Sequence, residues 1–185
     1  MAKKKELETV AKIINQPLDG NACGVNVETK DNNYHVSFPY KRELIVAMKS
    51  IEGASFDKAQ KAWTVPVTNY DAVKAGVENL RGLNDKLEFD HTVAVEAAKM
   101  KIAEVTVKDA FTRDNTRTTG EVIAITDHYV VQQTGKDKAV VHEKAALSAV
   151  PSIGQKPSLF YAKGLGLVQE RKASAERTRE ASPSR

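Results

Sequence analysis

The clearest structural signal in the chain lies in residues 34–80, YHVSFPYKRELIVAMKSIEGASFDKAQKAWTVPVTNYDAVKAGVENL, where the spacing of apolar residues changes three times. Residues 35–38 and 61–67 are predicted to form strands. In the second strand Trp63, Val65 and Val67 lie on one face, because side chains alternate across a strand. One face of this strand is therefore apolar.

Between these strands, apolar residues recur every three or four positions, as expected for one side of a helix. They are Leu44, Ile45, Met48 and Ile51. We predict that this helix begins near residues 39–41 and that Gly53 follows its end. Thr68 or Asn69 can cap a second helix, whose apolar side is formed by Tyr70, Val73, Val77 and Leu80. The order strand, helix, strand, helix predicts a small α+β domain.

The sequence of this stretch resembles the HARP-type domain of annealing helicases and its bacterial relatives. The resemblance is carried by FPY (38–40), Lys49, GASFD (53–57), Lys61, Trp63, Val65, Pro66 and Tyr70. It implies recognition of structured DNA, such as branched DNA or junctions of single and double strands. The family's helicase motor is separate, and the sequence contains no such motor. The alternative for Phe38, Phe56, Trp63 and Tyr70 is that they fill a core, because aromatic side chains supply much buried area.

The segments flanking this stretch extend the domain on both sides. Residues 6–16 can form a short amphipathic helix with Leu7, Val10 and Ile14 on one side. Residues 24–30 alternate as a strand and form a hairpin with the strand from Tyr34. Residues 89–107 have helical spacing and are predicted to close the domain or to bridge to the next one.

The second half of the chain is predicted to be rich in short strands. GEVIAIT, HYVVQQTG, KAVVH and KPSLFYAKGLGLVQE are rich in β-formers and separated by glycines and charged turns. EKAALSAV is prone to form a helix and is stopped by Pro151. Five short strands with one helical turn favour a small β-barrel of the SH3 or OB type.

This half also resembles the KfrB-type domain of accessory proteins of bacterial conjugative plasmids. The resemblance is carried by Gly120, HYVVQQTGK (128–136), VVHE (140–143), Leu147, Ile153, Gly154, Tyr161 and Gly164. It implies a small plasmid-encoded cytoplasmic protein that acts in maintenance, transfer or fertility control. It supplies no catalytic residues.

The predicted fold class is therefore α+β, with a small mixed domain followed by a small SH3/OB-like β-barrel. The segments are an N-terminal arm and short helix (1–21), a HARP-like domain with its closing or bridging helix (22–111), a linker (112–118), a KfrB-like barrel (119–170) and a basic tail (171–185).

The positive charge of the chain is concentrated at its ends. The formal net charge is +4, of which the lysines at positions 3–5 contribute +3 and residues 171–185 contribute another +3. Residues 6–170 are therefore left with a net charge of −2. Because phosphate binding depends on local positive potential, this distribution weakens the case for a broad DNA-binding face. A basic tail can add salt-sensitive affinity without sequence specificity, or it can be a solvated end.

Several classes of site are disfavoured by the sequence. Cys23 is the only cysteine, so a disulfide within the chain or a thiolate metal cluster cannot form. The four histidines show no metal-binding spacing, although alternation along its strand could place His142 on a barrel surface. No apolar run approaches the ~20 residues needed to cross a bilayer. We expect a cytoplasmic protein with no cofactor, no metal and no membrane association.

The sequence predicts a non-enzymatic accessory protein that binds structured or single-stranded DNA in plasmid maintenance or conjugative transfer. The candidate phosphate contacts are Lys41, Arg42, Lys49, Lys58 and Lys61. Lys41 and Arg42 stand at a helix start, where backbone N–H groups also favour phosphate. Tyr129, Gln133 and Tyr161 are candidates for stacking on, or hydrogen bonding to, unpaired bases. The alternative is an adaptor or inhibitor that docks onto a plasmid or host protein, and the oligomeric state stays open.

Overall fold

The computed structural model describes residues 18–112 and 114–169 of the chain. Its elements form two modules along one long helix. The first module contains β1 (Gly20–Ala22), β2 (Val25–Lys30), β3 (Asn33–Ser37), α1 (Arg42–Lys49), β4 (Ser55–Asp57), β5 (Ala62–Pro66) and the first half of α2 (Tyr70–Lys101). The second contains β6 (Thr106–Asp109), β7 (Thr116–Thr119), β8 (Glu121–Ile125), β9 (Tyr129–Gly135), β10 (Lys138–Glu143), β11 (Ser158–Ala162) and β12 (Leu165–Gln169).

The first module is an antiparallel sheet in the order β1-β2-β3-β5-β4, covered on one face by α1 and α2. The predicted hairpin between β2 and β3 is confirmed. Asp31 and Asn32 at its turn have positive φ angles of 49° and 58°, which aspartate and asparagine tolerate better than most residues. Strands β1 and β4 are not apparent from the sequence, and each has only three residues.

The first core follows the predicted periodicity. Leu44, Met48 and Ile51 are buried, as are Val65 and Val67 of the predicted apolar face. The helix α1 ends at Lys49, and Gly53 takes a positive φ of 78° in the following turn. These residues pack together with the buried apolar side chains of β2, β3 and α2.

The two helices predicted for residues from 70 onward and 89–107 are one continuous helix, α2, of 32 residues. At 1.5 Å per residue it is ~48 Å long. Its buried residues follow one stripe, Val73, Val77, Leu80, Asn84, Leu87, Ala94 and Ala98. The predicted end is wrong, because α2 stops at Lys101 and the β-branched segment beyond it forms β6.

The second module has two sheets, in the orders β6-β10-β9-β8 and β12-β11-β7. The first sheet packs one face against Ala94, Ala98 and Ile102. Its other face meets the three-stranded sheet around a core that contains Val130 and Leu159. The described strands form no closed barrel, so the predicted SH3/OB-like closure is unconfirmed.

Three features of the second module differ from the sequence expectations. Strand β6 and the first three residues of β7 precede the predicted barrel start at residue 119, yet β6 pairs in parallel with β10, and β7 pairs with β11. The helix-prone segment after β10 is a short 3₁₀ turn, Lys144–Ala146. Gly120 lies where the chain passes from one sheet to the other, and a Cβ atom there would lie 1.8 Å from the carbonyl oxygen of Gln133.

The predicted helix at residues 6–16 and the basic tail at 171–185 lie outside the described residues. Within the described part of the chain, no helix combines the length and the apolar character required to span a bilayer.

Replacing Lys86 by proline tests the continuity of α2, because Lys86 is exposed and lies between the two helices that the sequence predicts. We expect Lys86→Pro to lower the free energy of unfolding by about 3 kcal/mol or more, since proline removes a helical hydrogen bond and clashes with the preceding turn. Lys86→Ala is the matched control and should change stability by less than about 0.5 kcal/mol. Equal denaturant midpoints for the two variants would contradict a continuous helix.

Candidate functional site

Lys41, the first predicted phosphate contact, is held between the modules instead of facing solvent. Its Nζ donates a hydrogen bond to Glu88 Oε1 at 2.6 Å and another to Asn84 Oδ1 at 3.1 Å. The side chain is only 13% exposed. The Lys41 charge is therefore already paired, which corrects its assignment to phosphate.

The start of α1 is predicted to attract phosphate through its free backbone N–H groups. In the structure, the Arg42 backbone N–H donates to Glu143 Oε2 at 3.0 Å. The favourable anion position at this helix start is thus filled by a carboxylate of the second module. Burial raises the Glu143 pKa, and the hydrogen bond from Arg42 acts in the opposite direction. The Arg42 side chain itself is exposed.

Lys49 and Lys61 are brought together at one groove of about 420 Å³ between α1 and the β4–β5 hairpin. We call it the aromatic groove, and it is lined by Val36, Ser37, Phe38, Tyr40, Ile45, Lys49, Phe56, Lys61 and Trp63. Lys49 and Lys61 are exposed. No hydrogen bond or ion pair joins either side chain to another of the described residues. These two cations are available to a ligand.

The alternative for the aromatic residues of the first module, that they fill its core, holds only in part. Phe38, Trp63 and Tyr70 are partly buried and pack against the first core. Phe56 is 49% exposed and Tyr40 is 75% exposed. Phe56 contacts Trp63 edge-to-face, with ring centroids 5.4 Å apart. Phe56 lies on the short edge strand β4, so no further strand of the described sheet covers it.

The turn between β4 and β5 fixes the position of Lys61. Asp57 Oδ1 accepts hydrogen bonds from the backbone N–H groups of Ala59 at 2.7 Å and Gln60 at 3.2 Å. Lys61 then takes a positive φ of 53°. Lys58 is exposed in the same turn but does not line the aromatic groove.

The two tyrosines predicted to stack on bases are buried in the second module. Tyr129 is 3% exposed and packs edge-to-face against His91, with ring centroids 5.3 Å apart. Tyr161 is fully buried. Both assignments to exposed stacking positions are wrong, because β9 and β11 lie in the middle of their sheets and are covered by α2 or by the opposite sheet.

The two glutamines of β9 do point to opposite faces, as alternation predicts. Gln133 is partly buried, and its Nε2 donates to the Gly135 carbonyl at 3.1 Å. Gln132 is fully buried, and its Nε2 donates to the carbonyls of Gly120 and Pro157, each at 3.0 Å. Gln132 therefore binds the loop before β11 to the four-stranded sheet.

His142 does not lie on an exposed surface, because both faces of its sheet are covered and its side chain is fully buried. Its Nδ1 lies 2.7 Å from the Tyr161 hydroxyl, and the two rings are nearly parallel. Burial lowers the His142 pKa to about 4. His142 is therefore neutral at physiological pH and cannot contribute positive charge to a binding surface.

A set of polar contacts joins the modules around the middle of α2. His128 Nδ1 lies 3.0 Å from Glu43 Oε1 of α1. Asp90 Oδ2 accepts from the Thr126 hydroxyl and the His128 backbone N–H, each at 2.7 Å. Glu43, the partner of the His128 ring, lies 85 positions away in the sequence. These contacts, with those of Lys41 and Glu143, form the junction between the modules.

Metal and thiol chemistry find little support in residues 18–112 and 114–169. No group of three or more histidine, cysteine, aspartate or glutamate side chains is placed there to hold a metal ion. Cys23 is exposed, and a hydrogen bond with Asp85 raises the pKa of its thiol. A raised pKa keeps the sulfur protonated and poorly nucleophilic.

Comparison with protein-family models gives two matches, in the order that the sequence suggests. Residues 34–86 match the model described as HepA-related protein (HARP), and residues 117–170 match the KfrB Domain. The first match contains the aromatic groove, and the second contains strands β8 to β12 together with β7 except its first residue. No curated protein is similar enough to count as a match.

Lys41, which is paired, and Lys49, which has no ion-pair partner among the residues described, should respond differently to neutral substitution. Lys41→Gln is expected to lower the free energy of unfolding by about 1–3 kcal/mol, because it removes charged hydrogen bonds to Asn84 and Glu88. Lys49→Gln should change it by less than about 0.5 kcal/mol. Urea denaturation of both variants measures this contrast. A Lys41 variant as stable as the Lys49 variant would contradict the structural role of Lys41.

Burial of His142 predicts a pH-dependent loss of stability. The folded-state pKa of about 4 lies below the ordinary histidine value of 6.5, so the unfolded chain binds more protons between these pH values. Stability should fall as pH decreases from 6.5 to 4, by on the order of 3 kcal/mol. The difference between wild type and His142→Gln isolates this contribution, because glutamine does not titrate. Parallel stability curves for the two proteins would contradict the prediction.

Proposed function

We propose that the protein is a non-enzymatic DNA-binding accessory protein that acts on structured or single-stranded DNA during plasmid maintenance or conjugative transfer. The two family matches support a DNA-related role in a plasmid setting. The proposed location is the cytoplasm. The binding surface is the aromatic groove, and neither a cofactor nor a metal is required.

The observation that carries this proposal is a pair of cations at one groove, neither of which has an ion-pair partner in the part of the chain that the structure describes. Lys49 stands on the last turn of α1 and Lys61 at the end of the β4–β5 turn. No aspartate or glutamate lines the groove between them. A phosphate chain is attracted by local positive potential, which such an arrangement supplies even where the body as a whole is slightly acidic.

The exposed aromatic side chains of the same groove favour nucleic acid over other polyanions. Proteins that bind single strands combine cations along the backbone with aromatic rings for the bases. Tyr40 and Phe56 are the accessible rings beside Lys49 and Lys61. Lys58 and the Arg42 side chain are exposed and can add more distant phosphate contacts.

A protein-interaction adaptor is the second candidate function. It is favoured by exposed apolar residues on the second module, Val150, Ile153 and Leu167. A partner held by such residues would bind largely through apolar burial, so its affinity would change little with salt. Salt dependence therefore separates the two candidates.

We expect binding of labelled single-stranded and branched DNA to weaken steeply with rising salt. Lys49→Gln with Lys61→Gln should reduce the slope of log K against log salt by about 0.7 for each phosphate of a single strand that the variant no longer neutralises. Binding should then weaken roughly tenfold at about 0.1 M salt. Fluorescence anisotropy measures both quantities.

The matched control is Lys74→Gln with Lys86→Gln, which removes the same charge from exposed positions on α2 outside the groove. This control should bind as the wild type does. A chain without residues 171–185 shows how much affinity the basic tail adds. Failure of the intact protein to bind single-stranded, branched or duplex DNA at low salt would remove the proposed function and leave the adaptor.

A further inference from the structure

The aromatic groove exposes two aromatic rings, and not a single isolated apolar side chain. Phe56 is 49% exposed and Tyr40 is 75% exposed, while Val36 forms a buried floor. The groove volume of about 420 Å³ falls within the range of about 300–1,000 Å³ found for small-molecule sites. Contiguous exposed apolar surface of this kind marks a binding site.

The position of charge around the groove restricts what can occupy it. Lys49 belongs to the helical wall and Lys61 to the hairpin wall. Both side chains lack an acidic partner among the described residues, and the lining contains no acidic residue. An occupant that is apolar and flat in the middle and anionic at its edges complements both features.

We propose that the aromatic groove takes one unpaired nucleobase of a DNA strand, stacked against the rings of Phe56 and Tyr40, with neighbouring phosphates held by Lys49 and Lys61. This inference rests on the proposed DNA binding and adds the mode of recognition. The base loses water against apolar walls, and stacking tolerates every base because each has a π-face. The site therefore selects for unpaired nucleotides and not for sequence.

Duplex DNA does not offer this occupant at low cost. Each base in a duplex is stacked on both faces and must be unstacked and unpaired before it can enter the groove, whereas a single strand or the open end of a junction presents bases freely. The groove thus discriminates single strands and junctions from continuous duplex. The phosphates alone, which duplex and single strand share, cannot make this distinction.

The experiment uses the full chain and the single tryptophan of the sequence, Trp63, which lines the groove and contacts Phe56. Short oligothymidylate is titrated beside an oligomer of equal length whose residues are abasic, so that both carry the same phosphates. Oligothymidylate is expected to quench Trp63 fluorescence and to bind about tenfold tighter than the abasic strand. The abasic strand should bind without quenching.

Variants of Phe56 then locate the stacking contact. Phe56→Ala together with Tyr40→Ala should bring oligothymidylate affinity close to that of the abasic strand, and Phe56→Tyr alone should retain the preference. Phe89→Ala is the matched control, because Phe89 is 74% exposed on α2 and does not line the groove. It should behave as the wild type does.

The outcomes separate the inference from the function on which it rests. Equal, salt-sensitive binding of both strands without quenching would overturn base recognition at the groove and leave DNA binding intact. A preference for oligothymidylate that survives the loss of both Phe56 and Tyr40 would overturn it as well, since the base would then be stacked elsewhere. No binding of either strand would remove the proposed function and this inference together.

Discussion

The structure depends on one stripe of side chains along α2 that serves two cores. Val73, Val77 and Leu80 pack into the first core, and Ala94 and Ala98 pack against the four-stranded sheet of the second module. The large side chains of the first half suit a single layer of helix on sheet, while the alanines let β9 and β10 approach the helix closely. One helical register therefore sets the position of both modules.

The junction pairs charged groups that lie between the two modules. Acidic groups of three elements, among them Glu43, Glu88 and Glu143, meet at the middle of α2 and satisfy Lys41, His128 and the start of α1. Burying a charge is costly unless it is paired, and the largely buried Lys41 is paired here with Glu88. Lys49 and Lys61 take no part in this junction, and among the described residues they have no acidic partner at the groove that they line.

The sequence predicts the helices and strands that are long enough to show a repeating pattern of apolar residues. Helix α1 and strands β2, β3 and β5 follow from alternation or helical spacing, but three-residue strands such as β4 carry too little pattern. The burial of Tyr129 and Tyr161 escapes prediction because alternation identifies faces without telling which of them will be covered. The partners of Lys41 lie more than forty positions away in the sequence, and no local pattern predicts such a contact. The exposure of Phe56 is not predicted either, because Phe56 lies on β4, which is too short to show an alternating pattern.

Because the two modules share α2, each segment that matches a family model is shorter than the part of the chain that packs together with it. The two family matches leave out residues 87–116, which hold the second half of α2 and strand β6. A fragment that begins at residue 119 would lack the helix that packs against the four-stranded sheet, so Val131 and Val141 would be exposed to water. Recombination that shuffles either segment into another protein must therefore carry the intervening helix along or supply a substitute for it.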